Sequence, residues 1–510
     1  MKKILRFIIQ RVVITALLIV LQALLLFGFI WKLDNYFVYF YAGSVLLSLL
    51  ITLGIINSKS NPAYKIAWLI PILLFPVFGG LVYLLFGSDR TGRYLRKKLQ
   101  GIGTEMDNVI GEAYRRSGAE QLPPDAANQS RYISHCAYCP PYQNTTTEYL
   151  PLGEVKFERM VEELKKAKHY IFLEYFIIQE GKMWNTILDI LRQKAAEGVD
   201  VRVIYDDMGC IMILPTGYDK TLEQMGIKCR IFNPFVPILS SRFNTRDHRK
   251  ICVIDGEYAF TGGVNLADEY INRIVRFGHW LDCGVMLHGP AAYSFTLMYL
   301  AMWDDLRNME DDPEEFLPAE GAFAGVQGQG YVQPYTDSPM DEELVGETAY
   351  INMLSRAKRS VYICTPYLVI GSELSRALES AAKGGVDVRM IVPGVPDKWF
   401  VYAVTRSYYG QLLRAGVRIY EYTPGFIHSK TMVCDGEYGI CGTINLDYRS
   451  LYLHHECAVW MFRARAVEQM SRVFDETLAR SAEVTLDAVR RRAWYRKIVQ
   501  SLLRVFAPLL

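Results

Sequence analysis

A chain of 510 residues with 56 Lys+Arg against 54 Asp+Glu carries a formal net charge of +2, which excludes a uniformly basic nucleic-acid coat. An apolar fraction of 51% with only 22% charged residues points toward membrane attachment and away from disorder. Ten cysteines spread along the chain are too thin for a disulfide framework and fit a reducing compartment.

The apolar surplus heads the chain. Residues 12–31 and 37–56 are uncharged and each long enough to cross a bilayer as a helix. A third uncharged run, 66–86, is interrupted by Pro71, Pro76 and Gly79-Gly80. The first run follows Lys2, Lys3, Arg6 and Arg11, as a secretion signal would, but it is too long and lacks a small-x-small cleavage site, so a retained anchor is expected. Basic residues at the start and at Arg90, Arg93, Arg96, Lys97 and Lys98 place both ends of this region in the cytoplasm, which requires an even number of crossings. The Pro/Gly-interrupted run is then the expected re-entrant or interfacial one; two or three hydrophobic helices fit the pattern, and an extracellular catalytic part is the alternative.

After a basic linker, short β-branched runs alternate with helical patterns, and the alternation occurs twice. Lys166-Ala-Lys168 before Tyr170-Ile-Phe-Leu173 matches Arg356-Ala-Lys358 before Val361-Tyr-Ile-Cys364. Gly198-Val-Asp-Val-Arg202 recurs as Gly385-Val-Asp-Val-Arg389. An acidic, then Gly-rich stretch separates the copies. The expected organisation is a membrane region at 1–88, a linker at 89–130, one α/β half at 131–308, a second linker at 309–330, another half at 331–485, and a basic C-terminal helix at 486–510.

The strongest repeat carries chemistry. His248-x-Lys250 and Asp255-Gly256 precede Gly262-Gly-Val-Asn265; His428-x-Lys430 and Asp435-Gly436 precede Gly442-Thr-Ile-Asn445. Residues two apart on a strand share a face, so each His stands beside its Lys. The Asp-Gly steps turn the chain into a return strand whose end brings the Asn to the same place. One imidazole, one ammonium and one amide per half suit a phosphodiester. Lys and Asn meet the non-bridging oxygens, one imidazole attacks phosphorus, and the other protonates the leaving alkoxide. The lysines neutralise charge, so no metal or other cofactor is required.

Each histidine needs a partner on its second ring nitrogen. Strand parity puts Asp255 and Asp435 off the His/Lys face, whereas Asp282 and Glu456 sit alone inside apolar strands, where a carboxylate is costly unless paired. These two are the expected histidine-orienting acids. The bland counterpart is an acid on an edge facing water.

The doubled HxKxxxxD motif and the internal duplication resemble the phospholipase D superfamily, and more narrowly the bacterial cardiolipin synthases of the phospholipase D type. The narrower resemblance rests on Asn61-Pro-Ala-Tyr-Lys-Ile-Ala-Trp68 with Tyr83-Leu-Leu-Phe-Gly87, on Leu173-Glu-Tyr-Phe176, on Gly262 to Tyr270, and on Thr443-Ile-Asn-Leu-Asp-Tyr-Arg449. It implies two pseudo-twofold α/β halves with one active site between them. It also implies transfer of a phosphatidyl group from one phosphatidylglycerol to another through a phosphohistidine, releasing glycerol. Position by position it implies His248, Lys250, Asp255, His428, Lys430 and Asp435 as active-site residues, Asn265 and Asn445 as phosphate contacts, and His248 as nucleophile with His428 as general acid. The motifs by themselves leave those two roles open. Water or another alcohol as acceptor is the competing reading, followed by a membrane-attached nuclease and a non-catalytic scaffold. The implied partners are an anionic phospholipid and the bacterial cell membrane, with the catalytic part on the cytoplasmic side and no nucleic acid.

In the last segment, Trp494, Ile498, Leu502 and Phe506 recur every four residues among Arg490, Arg491, Arg492, Arg496, Lys497 and Arg504, the pattern of a basic amphipathic helix lying on an anionic leaflet. Cys136 and Cys139 form only half a zinc pattern. Glu174 lies in an apolar strand and receives no role.

Overall fold

The computed structural model describes residues 37–58, 61–87, 121–235, 244–307, 310–340 and 343–509, together with 20, 24 and 28. Run 12–31 and the basic linker up to residue 120 lie outside the described residues, apart from those three positions. Run 37–56 is one helix, Phe37–Ile56. The side chains of Phe37 and Phe40 are outside the description, and over the described residues no helix is long and apolar enough to cross a membrane. The third run is broken at Pro76, whereas Pro71 sits within a helix. A helix Pro62–Leu74 is capped by the Asn61 carboxamide, and Phe75 leaves helical geometry before a second helix, Pro76–Val82.

The two α/β halves are built to one plan. The first half has a seven-stranded sheet whose spatial order begins at the antiparallel edge strand Thr146–Leu150 and ends at the parallel strands Asp200–Asp206 and Lys228–Phe232. The second half repeats that order from Tyr331–Asp337 to Asp387–Pro393 and Arg418–Tyr422, then adds Ser481–Glu483. In each, a largely buried hairpin carries the chain on from the His-x-Lys sequence: Lys250–Ile254 with Tyr258–Gly262, and Thr431–Cys434 with Tyr438–Gly442. Strands buried on both faces read as continuous apolar runs, which is why the sequence here lacks alternation.

The halves also exchange short strands. Arg246–Asp247 of the first half pairs in parallel with His454 and His455 of the second. In the pseudo-twofold equivalent, Gly425–Ile427 of the second half pairs with His279–Leu281 of the first. Both exchanges lie immediately before a motif histidine, so the same hydrogen bonds that join the halves position the two His-x-Lys motifs.

Two expected boundaries shift. Helix Pro124–Cys136 straddles residue 131 but belongs with the second half: Gln129 accepts from the Trp460 indole at 3.1 Å, and Gln333 donates to the Ser130 carbonyl at 3.0 Å. The C-terminal segment is two helices, Leu486–Arg490 and Trp494–Val505. The second packs on helix Trp399–Ala415 through Arg504, whose guanidinium lies 4.1 Å from the Tyr408 ring centre. Leu509 reaches the cluster of Ile51, Ile55, Trp68 and Ile72, and the Asn61 amide donates to the Tyr452 hydroxyl at 3.0 Å. The N-terminal helices, the C-terminal helix and the second half therefore meet on one side of the molecule.

Candidate active site between the two halves

A cavity of about 630 Å³ opens between the halves, with His248, His428, Asn265 and Asn445 in its wall. Both lysines lie beneath it, fully buried, and each donates its ammonium hydrogen to the carbonyl of its own motif histidine. The two amides differ in their bonding. Asn265 accepts from the Ile177 amide at 3.1 Å and donates to the Tyr270 hydroxyl at 2.8 Å. The Asn445 carbonyl oxygen is buried without a hydrogen-bond partner.

The orienting acids pair crosswise. Glu456 of the second half lies 2.8 Å and 3.0 Å from Nδ1 of His248 in the first. Asp282 of the first half lies 2.6 Å from Nδ1 of His428 in the second. With Nδ1 engaged, Nε2 is the ring nitrogen left to each histidine for chemistry. The two supports differ in reach. Asp282 comes so close to Gly263 that a Cβ there would stand 2.1 Å from its Oδ1, which explains the glycine. At the equivalent place Thr443 donates its hydroxyl to the longer Glu456.

Electrostatics set the resting protonation states. Burial, then the Lys250 charge, push His248 well below the ordinary histidine value. Burial and Lys430 push His428 down to about 4, against the opposing pull of Asp282. Burial alone would raise Asp282, but His428 and Lys430 hold it below the usual carboxylate value; burial raises Glu456 despite Lys250. Burial also brings Lys250 down to about 7 and Lys430 to about 8. The two imidazoles are thus biased toward their neutral forms and the lysines brought close to neutral pH, and a bound anion favours the charged forms of an imidazole and both ammonium groups.

Asp255 and Asp435 lie outside the cavity. Each closes its hairpin with a left-handed φ, 53° and 55°. Asp255 accepts from the Lys168, His169 and Tyr170 amides at 2.8 Å each, and Asp435 accepts from Lys358, Arg359 and Ser360 at 2.8, 2.7 and 2.9 Å. They pin the hairpin to the start of the central strand and touch no reacting group. Glu174 points away from the cavity into a buried ion pair with Arg249, which also holds Asp247.

Among the described residues, the one group of ligand atoms close enough for a metal is His248, His454 and Glu456, within 4.8 Å of one another. Lys250, Arg246 and Arg449 all act on His454 with positive charge, so the potential there opposes a cation. Cys136 and Cys139 belong to no such group, and Cys139 is buried.

Comparison with known proteins agrees with this architecture. The family described as "Cardiolipin synthase, PLD-like domain" matches residues 160–275 and 350–478, and "Phospholipase_D-nuclease N-terminal" matches 46–88. The chain is 33% identical to the cardiolipin synthase of Halalkalibacterium halodurans over 92% of its own length and 94% of that protein's. It is 34% identical to cardiolipin synthase 2 of Bacillus anthracis over 90% of each, and 44% identical to an uncharacterized protein of Streptococcus mutans, covering 90% of this chain and 99% of that one. Among solved structures, the phosphatidylserine synthase of Haemophilus influenzae superposes with a TM-score of 0.53 at 13% identity, covering 74% of this chain and 97% of that one, a likeness of fold. At this identity over nearly the full length of named relatives, the chain belongs to the cardiolipin synthase family of the phospholipase D type.

Proposed function

We propose that this chain is a phosphatidyltransferase that joins two phosphatidylglycerol molecules into cardiolipin and releases glycerol. The observation that carries the reading is the convergence of both motif histidines and both asparagines on one cavity, each histidine braced by an acid from the opposite half. One imidazole attacks phosphorus while the other gives its proton to the departing glycerol oxygen, so an N–P bond forms as a P–O bond breaks. The terminal hydroxyl of a second phosphatidylglycerol then attacks the phosphohistidine, returns its proton to the acid–base histidine, and breaks the N–P bond. Lys250, Lys430, Asn265 and Asn445 serve the non-bridging oxygens, where charge accumulates.

The N-terminal helices anchor the enzyme in the cell membrane as a multi-pass region, with the catalytic halves on the cytoplasmic side. Supporting this, the match to the phospholipase D-nuclease N-terminal family at 46–88 overlaps these helices, and helix Phe37–Ile56 carries no charge. Helix Trp494–Val505 lies on the membrane surface: Trp494, Leu502 and Ile498 are 73%, 60% and 50% exposed, on a segment whose cations suit anionic headgroups. Ala507 of the same segment lines the cavity, which brings the mouth to the side where a lipid arrives.

The test is purified full-length protein with headgroup-labelled phosphatidylglycerol. Cardiolipin with an equal amount of free glycerol is expected, and His248→Ala or His428→Ala abolishes both. Phosphatidic acid as the sole product, or cardiolipin formation that survives both substitutions, overturns the reading.

A further inference from the structure

The pseudo-twofold axis relates backbones but not the side chains around the two histidines. Two residues before each motif histidine stand Arg246 in one half and Phe426 in the other; two before each orienting acid stand His454 and Trp280; four after each asparagine stand Arg449 and Glu269. All six line the cavity. The exchanged strands make this a matter of register. Arg246 pairs directly with His454, and Phe426 with Trp280. One end of the cavity is therefore cationic and the other aromatic, with Glu269 there already 3.3 Å from Arg276.

At the cationic end His454 stands out. Its side chain is only 10% exposed, and both ring nitrogens are buried without a hydrogen-bond partner. A buried imidazole with neither nitrogen satisfied is costly unless a ligand completes it. Its ring centre lies 5.6 Å from that of His248. Acids stand beside these cations. Asp206 is 3.6 Å from Arg246 and Glu456 is 3.8 Å from His454; Asp447 acts on Arg449. Burial pushes Asp206 up to about 7 and raises Asp447 and Glu456 as well.

We propose that Arg246, Arg449 and His454 form a second phosphate subsite, which holds the phosphodiester of the acceptor phospholipid while its headgroup hydroxyl reaches the reacting phosphorus. The inference rests on the phosphatidyl-transfer reading above and names the acceptor's recognition within it. The 5.6 Å between the His454 and His248 ring centres is a span suited to the three-carbon headgroup between a phosphate and its terminal hydroxyl. Water or free glycerol makes no use of such a subsite. A second phospholipid does.

The experiment compares two acceptors in the full-length enzyme: phosphatidylglycerol itself, read as cardiolipin, and labelled free glycerol, read as label exchanged into phosphatidylglycerol. In Arg449→Gln and His454→Ala the ratio of cardiolipin formation to glycerol exchange falls by roughly ten-fold or more, as expected when a charge-assisted contact to one acceptor is removed. Arg246→Lys, which keeps a cation beside Asp206, shows a smaller fall in the same direction. An unchanged ratio overturns the subsite, whether both rates drop together or neither moves. Absence of both reactions in the unsubstituted enzyme instead overturns the transferase reading.

Discussion

At the scale of single residues, the two buried lysines make the most specific demand. Burial brings Lys250 to about 7 and Lys430 to about 8, far below an exposed lysine. A bound phosphodiester favours the charged forms, so binding near pH 8 draws protons from solvent. Affinity is expected to fall as pH rises from about 7 toward 10, and the lysines' share of the proton uptake to fade toward pH 6, where both are already charged, leaving that of one imidazole. Calorimetry of a non-hydrolysable phosphatidylglycerol analogue, in buffers of different ionisation enthalpy, measures this. Proton release at pH 8 would contradict it. The motif histidines, lysines and asparagines were legible in the sequence because the motif occurs twice at matching spacing. Asp282 and Glu456 were legible as lone acids in apolar strands. Their crosswise pairing was not: parity assigns a residue to a face, and says nothing about which half the face meets. Arg246, His454 and Arg449 were visible too, but their meaning appears only when each is set beside its counterpart across the pseudo-twofold axis.

At the scale of elements, the aspartates of the HxKxxxxD motifs tie a hairpin to a neighbouring strand. The resemblance made them active-site residues, while strand parity set them off the reacting face, and the structure places them at the turns. Asp255→Ala removes three amide contacts from a buried carboxylate and is expected to cost about 2–4 kcal/mol of stability. Thermal or denaturant unfolding checks this, and a melting profile identical to that of the unsubstituted protein would refute it. The hairpins and parallel strands were readable from β-branched runs and Asp-Gly turns. Helix Pro124–Cys136 was split across a predicted boundary, because its partners Trp460 and Gln333 are about 200 or more residues away and nothing local announces them.

At the scale of the whole molecule, the N-terminal helices and the C-terminal segment pack together, and Ala507 of that segment lines the cavity. Trp494→Asp combined with Leu502→Asp is expected to lower cardiolipin formation several-fold in liposomes rich in anionic lipid, with much less effect in detergent micelles, because only the bilayer presents a surface for the helix. Equal rates in both settings would show that this face has another role. The amphipathic pattern was legible because it is local. Its junction with the N-terminal helices, through Leu509 and the cluster around Trp68, was not, since it unites the two extremes of the chain.

The crosswise bracing of the histidines bears on how such a protein arises. A primitive chain with one motif would have worked only as a self-paired duplex, each copy lending its carboxylate to the imidazole of its twin. Joining two copies in one chain would free the pair from identity. One end of the shared cleft then became cationic and the other aromatic, a division of labour that a symmetric pair cannot encode.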